Sequence, residues 1–117
     1  MASVMPLYDS DLLRGNTDSV LLSLISEYGQ TYGYMLIKEI ERRSQGYFRF
    51  REGTVYPALR KLENEGLIAG EWRKLPNGQE RRYYAITDAG RIFLAKKLEM
   101  WQSFSSAMAM ILKPAEG

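Results

Sequence analysis

The sequence predicts an α+β fold, mostly α, on three observations. Apolar residues recur at helical spacing in three successive segments, an Asn77-Gly78 pair separates two strand-like segments, and the last segment keeps its apolar residues at heptad spacing. At 117 residues, 45% apolar and 26% charged, the chain has the length and composition of one domain with a modest core.

The first helix is predicted over about Asp9 to Tyr28, where Leu13, Val20, Leu21, Leu24, Ile25 and Tyr28 form one buried stripe and Gly29 ends it. A second, short helix is predicted from about Gly33 to Ser44. Leu36, Ile37 and Ile40 face inward there, and Lys38, Glu39, Glu41, Arg42 and Arg43 outward. Tyr47-Phe48-Arg49-Phe50-Arg51 alternates aromatic and basic side chains, the pattern of a brief extended stretch. It leads into a third helix over about Glu52 to Glu65, whose start Pro57 supports, since a missing amide costs little near the first turn. Gly66 suits a left-handed C-cap, with Leu67 folding back on Leu62.

Segments from Leu67 to Leu75 and from Gln79 to Thr87 flank Pro76-Asn77-Gly78, a strong hairpin signal. Ile68 and Trp72 share one face of the first strand, and on the second Arg82, Tyr84 and Ile86 alternate with Arg81, Tyr83 and Ala85. Thr87 is a good N-cap for a final helix, Asp88 to about Leu112, with Asp88 in its first turn. Leu94, Leu98, Trp101, Ser105, Met108 and Leu112 make its heptad seam. At about 1.5 Å per residue this helix is on the order of 37 Å long, more than a compact domain of this size covers. Part of it is therefore expected to meet another chain, with Leu94, Leu98, Trp101, Phe104, Ser105, Met108 and Leu112 as the dimer interface.

Composition excludes several classes of function. With no Cys and no His, disulfides, thiol chemistry and the ligand sets zinc prefers are ruled out, and no metal or cofactor is expected. Nor is an enzyme expected, because there is no Gly-rich phosphate loop and no acid-base pair of plausible geometry. The longest apolar runs, such as Val20-Leu21-Leu22 with Leu24-Ile25, fall far short of the roughly 18 to 20 residues of a membrane-spanning helix. The N-terminus carries Asp9 and Asp11 in place of a basic head and an apolar core, so a cytoplasmic location is expected.

The formal net charge is only +2, but its placement is uneven. From Tyr47 to Tyr84 there are eight Lys/Arg against five Asp/Glu, leaving eight against nine elsewhere. Three helices followed by a two-stranded ribbon is the order of a winged helix-turn-helix, in which the third helix enters the DNA major groove. Residues 9–87 are thus expected to form a DNA-binding domain and 88–112 a C-terminal dimerisation helix. Thr54, Tyr56, Arg60 and Lys61 on the outer face of the third helix can reach phosphates or base edges. Pro57 either packs against DNA or stiffens the first turn. Arg51 is placed to hold phosphate, and Arg49 either does the same or forms a surface ion pair. Arg73, Lys74, Asn77, Arg81 and Arg82 crowd the wing and can lie along a backbone, although edge strands also carry cations against aggregation, a reading that applies to Arg73 more than to the tip residues.

The wording of this region resembles the PadR family of transcriptional regulators. The resemblance rests on Tyr32-Gly33-Tyr34 with Leu36-Ile37-Lys38-Glu39-Ile40, Glu52-Gly53-Thr54-Val55-Tyr56-Pro57-Ala58-Leu59, Leu62-Glu63, Glu65-Gly66-Leu67-Ile68, and Arg81-Arg82-Tyr83-Tyr84 with Ile86-Thr87 and Gly90. It covers about Ser19 to Met110. It implies a sequence-specific, homodimeric repressor of the short branch, with one C-terminal helix, released from double-stranded DNA by a small aromatic or drug-like effector. It supports Tyr34 and Lys38 as phosphate contacts and Trp101 as an effector contact, dimer packing being the other role open to Trp101. A symmetric dimer implies a pseudo-palindromic operator with half-sites about 34 Å apart. The alternative function is a winged helix that binds another protein without specific DNA binding.

Overall fold

The computed structural model describes residues 15–113. Helices α1 (Thr17–Tyr28), α2 (Gly33–Arg43) and α3 (Glu52–Asn64) precede strands β1 (Ile68–Lys74) and β2 (Glu80–Ile86), and α4 (Asp88–Ile111) closes the chain. The helix expected from Asp9 begins at Thr17, behind a turn at Gly15 and Asn16, and residues 9–14 lie outside the described residues.

The core forms where the inward stripes of the helices converge on the base of the hairpin. Leu21, Leu22 and Ile25 of α1, Leu36 of α2, and Val55, Leu59 and Leu62 of α3 are wholly buried, and Ile68 of β1 and Leu94 of α4 are nearly so. Phe50, from the aromatic-basic stretch before α3, joins them. Alternation on that stretch thus turns one aromatic ring into the core, as strand periodicity requires.

Glu39, expected to face solvent, is buried instead. Its carboxylate accepts hydrogen bonds from Arg42 and from Arg43 Nε, the latter at 2.7 Å. Arg43 reaches on to Glu27 of α1 through Nη1 and Nη2 at 2.8 and 2.7 Å. One guanidinium therefore compensates two carboxylates and fastens α2 to α1, which is why Glu39 can leave water.

The end of α3 is specified locally, as expected. Gly66 takes φ +78°, the Gly66 amide donates to the Glu63 carbonyl, and the Leu67 amide donates to the Leu62 carbonyl, completing a Schellman cap. The start at Glu52 is as expected, but Pro57 is the sixth residue of α3, a full turn in, so the Gly53 carbonyl loses the amide that would have donated to it and the proline is not free of cost.

Strands β1 and β2 are antiparallel, with Ile68 opposite Ile86, Gly70 opposite Tyr84, Trp72 opposite Arg82 and Lys74 opposite Glu80. The turn is a three-residue loop in which the Gly78 amide donates to Leu75 and the Leu75 amide to Gln79, with only Gly78 at positive φ. Asn77 instead caps the turn with its side chain, accepting from the Gln79 amide at 2.9 Å. A contact without a sequence signal adds a third backbone segment: Thr31 and Tyr84 exchange amide-to-carbonyl bonds of 3.1 and 2.7 Å. Thr87 caps α4, accepting from the Gly90 amide at 3.0 Å.

Two stability predictions follow from buried polar groups. The arginines hold the Glu39 carboxyl at about 2, below its ordinary 4.5, so its stabilisation is complete above pH 4.5 and lost as pH falls towards 2. Glu39→Gln should unfold at lower urea at pH 7 and lose less stability than wild type between pH 5 and pH 2.5. The Thr31 hydroxyl is buried with no hydrogen-bond partner among the described residues. Thr31→Val keeps the shape and the backbone pairing, so it should leave stability unchanged or raise it by up to about 1 kcal/mol, read as a higher urea midpoint at constant m.

Candidate nucleic-acid interface

Helix α3 buries Val55, Leu59 and Leu62, so its opposite side carries Gly53, Pro57, Arg60 and Asn64, flanked by Tyr56 and Lys61. Arg51 is the extended N-cap residue of α3, and Tyr32 holds the same position on α2; neither caps its helix with its side chain. The first amides of both helices thus lack a side-chain acceptor and can donate to an anion. The two helices meet near these ends, where the Tyr56 ring lies against Gly33, so close that a Cβ there would be 2.6 Å away. Burial pushes the Tyr56 phenol above its ordinary value, with Glu52 adding to the effect, and keeps it a neutral donor.

Between α3 and the wing lies a cleft of about 460 Å³, lined among others by Tyr34, Tyr56, Arg60, Trp72, Arg81 and Arg82. Arg81 is held within it by aromatic rings. Its guanidinium lies 3.9 Å from the Tyr32 ring centroid, Tyr32 meets Tyr83 edge-on at 5.4 Å, and Arg81 Nη1 donates to the Tyr83 hydroxyl at 3.4 Å. Lys38 stands 5.6 Å over the exposed Tyr34 ring.

The ion pairs divide the basic residues into two groups. Lys61 Nζ donates to Asp18 of α1 at 2.8 Å, a contact that raises the lysine's proton affinity, and Glu65 lies 3.7 Å away. Arg49 stands 4.0 Å from Glu41, so the ion-pair reading is the one the geometry shows. Arg73 bonds Glu71 and Gln30, and Arg82 bonds Glu63. Among the described residues, Lys38, Arg51, Arg60, Lys74 and Arg81 form no ion pair with a carboxylate. Thr54 and Pro57 are exposed on α3, and Asn77 sits at the wing tip. Sequence reasoning missed Asn64, which its spacing of four from Arg60 places on the same face, and Trp72, which is 61% exposed beside the cleft.

Helix α4 changes character along its length. Leu94 belongs to the chain's own core, because the first turns of α4 pack on α1, and it is thereby removed from the expected dimer seam. Leu98, Trp101, Phe104, Met108 and Leu112 are exposed and Ser105 is partly so. Met100, Met110 and Ile111 add apolar surface that the seam alone did not include. Leu98 and Trp101 border a groove of about 540 Å³ whose apolar wall includes Val20, Leu24, Ile40 and Phe48. No described helix is long and apolar enough to cross a membrane.

An outward recognition helix, an adjacent basic wing and a stacked set of helices beneath them define a winged-helix DNA-binding protein. The family model for the transcriptional regulator PadR-like family matches residues 21–96, and the chain belongs to that family of transcriptional regulators, which are not enzymes. A solved transcriptional regulator from Clostridium thermocellum is 30% identical, with 88% of this chain and 99% of that one covered and a TM-score of 0.80. The PadR-like transcriptional regulator of Bacillus cereus is also 30% identical, over 90% of this chain and 99% of that one, with a TM-score of 0.76. A transcriptional regulator of Mycobacterium tuberculosis is 37% identical over 67 residues, 57% of this chain and 59% of that protein.

Proposed function

We propose that this regulator is a homodimeric repressor that binds a pseudo-palindromic operator and leaves it when a small aromatic or drug-like effector occupies the groove at Trp101. The observation that carries the DNA-binding part is the placement of charge: among the described residues of α2, α3 and the wing, the cations without a carboxylate partner are Lys38 on α2, Arg51 at the N-cap of α3, Arg60 on α3, and Lys74 and Arg81 on the wing. Thr54, Tyr56, Pro57 and Arg60 enter the major groove with α3, and Lys61 joins them by exchanging Asp18 for phosphate. Tyr34, Lys38 and Arg51 hold the backbone, and Lys74, Asn77 and Arg81 follow it along the wing. Its place of action is the cytoplasm, where its DNA partner lies.

Leu98, Trp101, Phe104, Ser105, Met108 and Leu112 form the proposed dimer seam. Support comes from the exposure of Leu98, Trp101, Phe104 and Met108 on a helix of 24 residues, and of Leu112 at its C-cap, where only the N-terminal part of the helix is buried within the chain. The apolar groove beside Trp101 supports the effector reading, since flat apolar ligands suit aromatic and aliphatic walls.

Fluorescence anisotropy against DNA from upstream of the protein's own gene, with random duplex as control, tests the repressor reading. Selective binding that weakens steeply with salt is the expected result; binding that ignores sequence and salt would return the winged helix to a protein-binding role. Arg60→Ala should cost about 1 to 3 kcal/mol on the specific site if Arg60 reads a base, and weaken all sequences alike if it holds phosphate. Trp101→Ala should shift the protein from dimer towards monomer in sedimentation, and an unchanged sedimentation profile would remove Trp101 from the interface.

A further inference from the structure

The guanidinium of Arg82 is enclosed on several sides. Arg82 Nε donates to Glu63 Oε1 at 3.2 Å and Nη2 donates to Glu63 Oε2, a fork-to-fork pair between β2 and α3. The guanidinium stands 5.3 Å from the Trp72 ring and 5.9 Å from the Tyr84 ring. The floor beneath it is Gly70, where an added Cβ would lie 2.6 Å from Arg82 Nε. The two paired side chains are 25% and 28% exposed, whereas in every other described ion pair between separate elements one partner is 53% exposed or more.

Its position along the ribbon gives this pair mechanical importance. Ile68 and Ile86 anchor the base of the hairpin, and the Thr31 bridge grips Tyr84. Beyond Tyr84 no hairpin residue enters the core, and an isolated two-stranded ribbon is marginal in water. Arg82 lies just past that point, and among the described residues its pair with Glu63 is the one salt bridge between the hairpin and α3. Its neighbour Arg81 projects from the opposite face of the strand, towards Tyr32.

We propose that Arg82 is a positioning residue, a latch that with Glu63 fixes the angle of the wing against the recognition helix, while Arg81 and Lys74 make the wing's contacts with phosphate. This assignment rests on the DNA-binding reading and replaces the direct DNA contact expected of Arg82. Holding the wing in its bound orientation removes an ordering cost from DNA binding without adding a contact.

A Glu63→Gln variant separates latch from ligand by the sign of its effect. If Arg82 is a latch, Glu63→Gln frees the wing. Amide hydrogen exchange in the free protein should then speed up about ten-fold over residues 72–82 and stay unchanged over 21–25. Affinity for the upstream DNA should fall about three- to ten-fold with the salt slope unchanged. The charge-swapped double variant Glu63→Arg with Arg82→Glu should restore most of both. If Arg82 is instead a phosphate ligand, Glu63→Gln releases it, binding tightens with a steeper salt slope, and the swap restores nothing; that result overturns the proposal. Unchanged exchange over 72–82 in Glu63→Gln overturns it as well. Faster exchange that the swap reverses, in a protein that binds no DNA, would uphold the latch and sink the DNA-binding reading instead.

Discussion

The whole architecture turns on one junction, where the end of α3, the start of β1, the end of β2 and the start of α4 share hydrogen bonds around Leu67 and Thr87. The Leu67 amide closes the cap of α3 on Leu62, and the Leu67 carbonyl accepts the Thr87 amide at 3.1 Å. The Thr87 hydroxyl donates to the Gly66 carbonyl at 2.7 Å and accepts from the Gly90 amide, so one side chain ties the end of one helix to the beginning of another. Gly90 completes the approach, since a Cβ there would sit 2.0 Å from the Leu67 carbonyl oxygen. These bonds join the C-terminus of α3 to the N-terminus of α4 through backbone groups of Gly66, Leu67, Thr87 and Gly90, so hydrogen-bond geometry as well as side-chain packing sets the orientation of the recognition helix relative to α4.

The basic surplus of the middle segment looks uniform in the sequence and is not uniform in the fold. Arg82 and Arg73 hold the wing in shape through Glu63, Glu71 and Gln30, and Lys61 ties the recognition helix to the first turn of α1 through Asp18. The cations left unpaired in this part of the chain lie on the outer face and N-cap of α3, in the middle of α2 and on the wing, and Arg91, Lys96 and Lys97 of α4 also form no ion pair with a described carboxylate. The unpaired cations of α2, α3 and the wing stand where an anion can neutralise them.

Helix α4 shows the same economy in apolar surface. Its N-terminal turns complete the protomer core through Leu94, while Met100, Phe104 and Ile111 run beside the seam of Leu98, Trp101, Met108 and Leu112. An apolar face of that width is more than a single facing helix covers. In the proposed dimer it must therefore meet more of the partner than the partner's α4.

Local chemistry made much of this legible in advance. The Gly66 cap, the Thr87 cap, the hairpin around Asn77-Gly78 and the stripes of α2 and α3 each depend on residues close together in sequence, and each formed where spacing placed it. The outer face of α3 was readable for the same reason, because helical periodicity fixes which side chains oppose the buried ones. What the tertiary structure decided was partnership. Nothing near Glu39 announces that Arg43 will also reach Glu27, and nothing near Arg82 announces Glu63, 19 residues away. The Thr31 bridge to Tyr84 and the passage of Leu94 into the core have the same origin. A charged side chain carries its chemistry in the sequence. Whether that charge is spent inside the fold or offered to DNA depends on which distant residue the packing brings within about 3 Å of it.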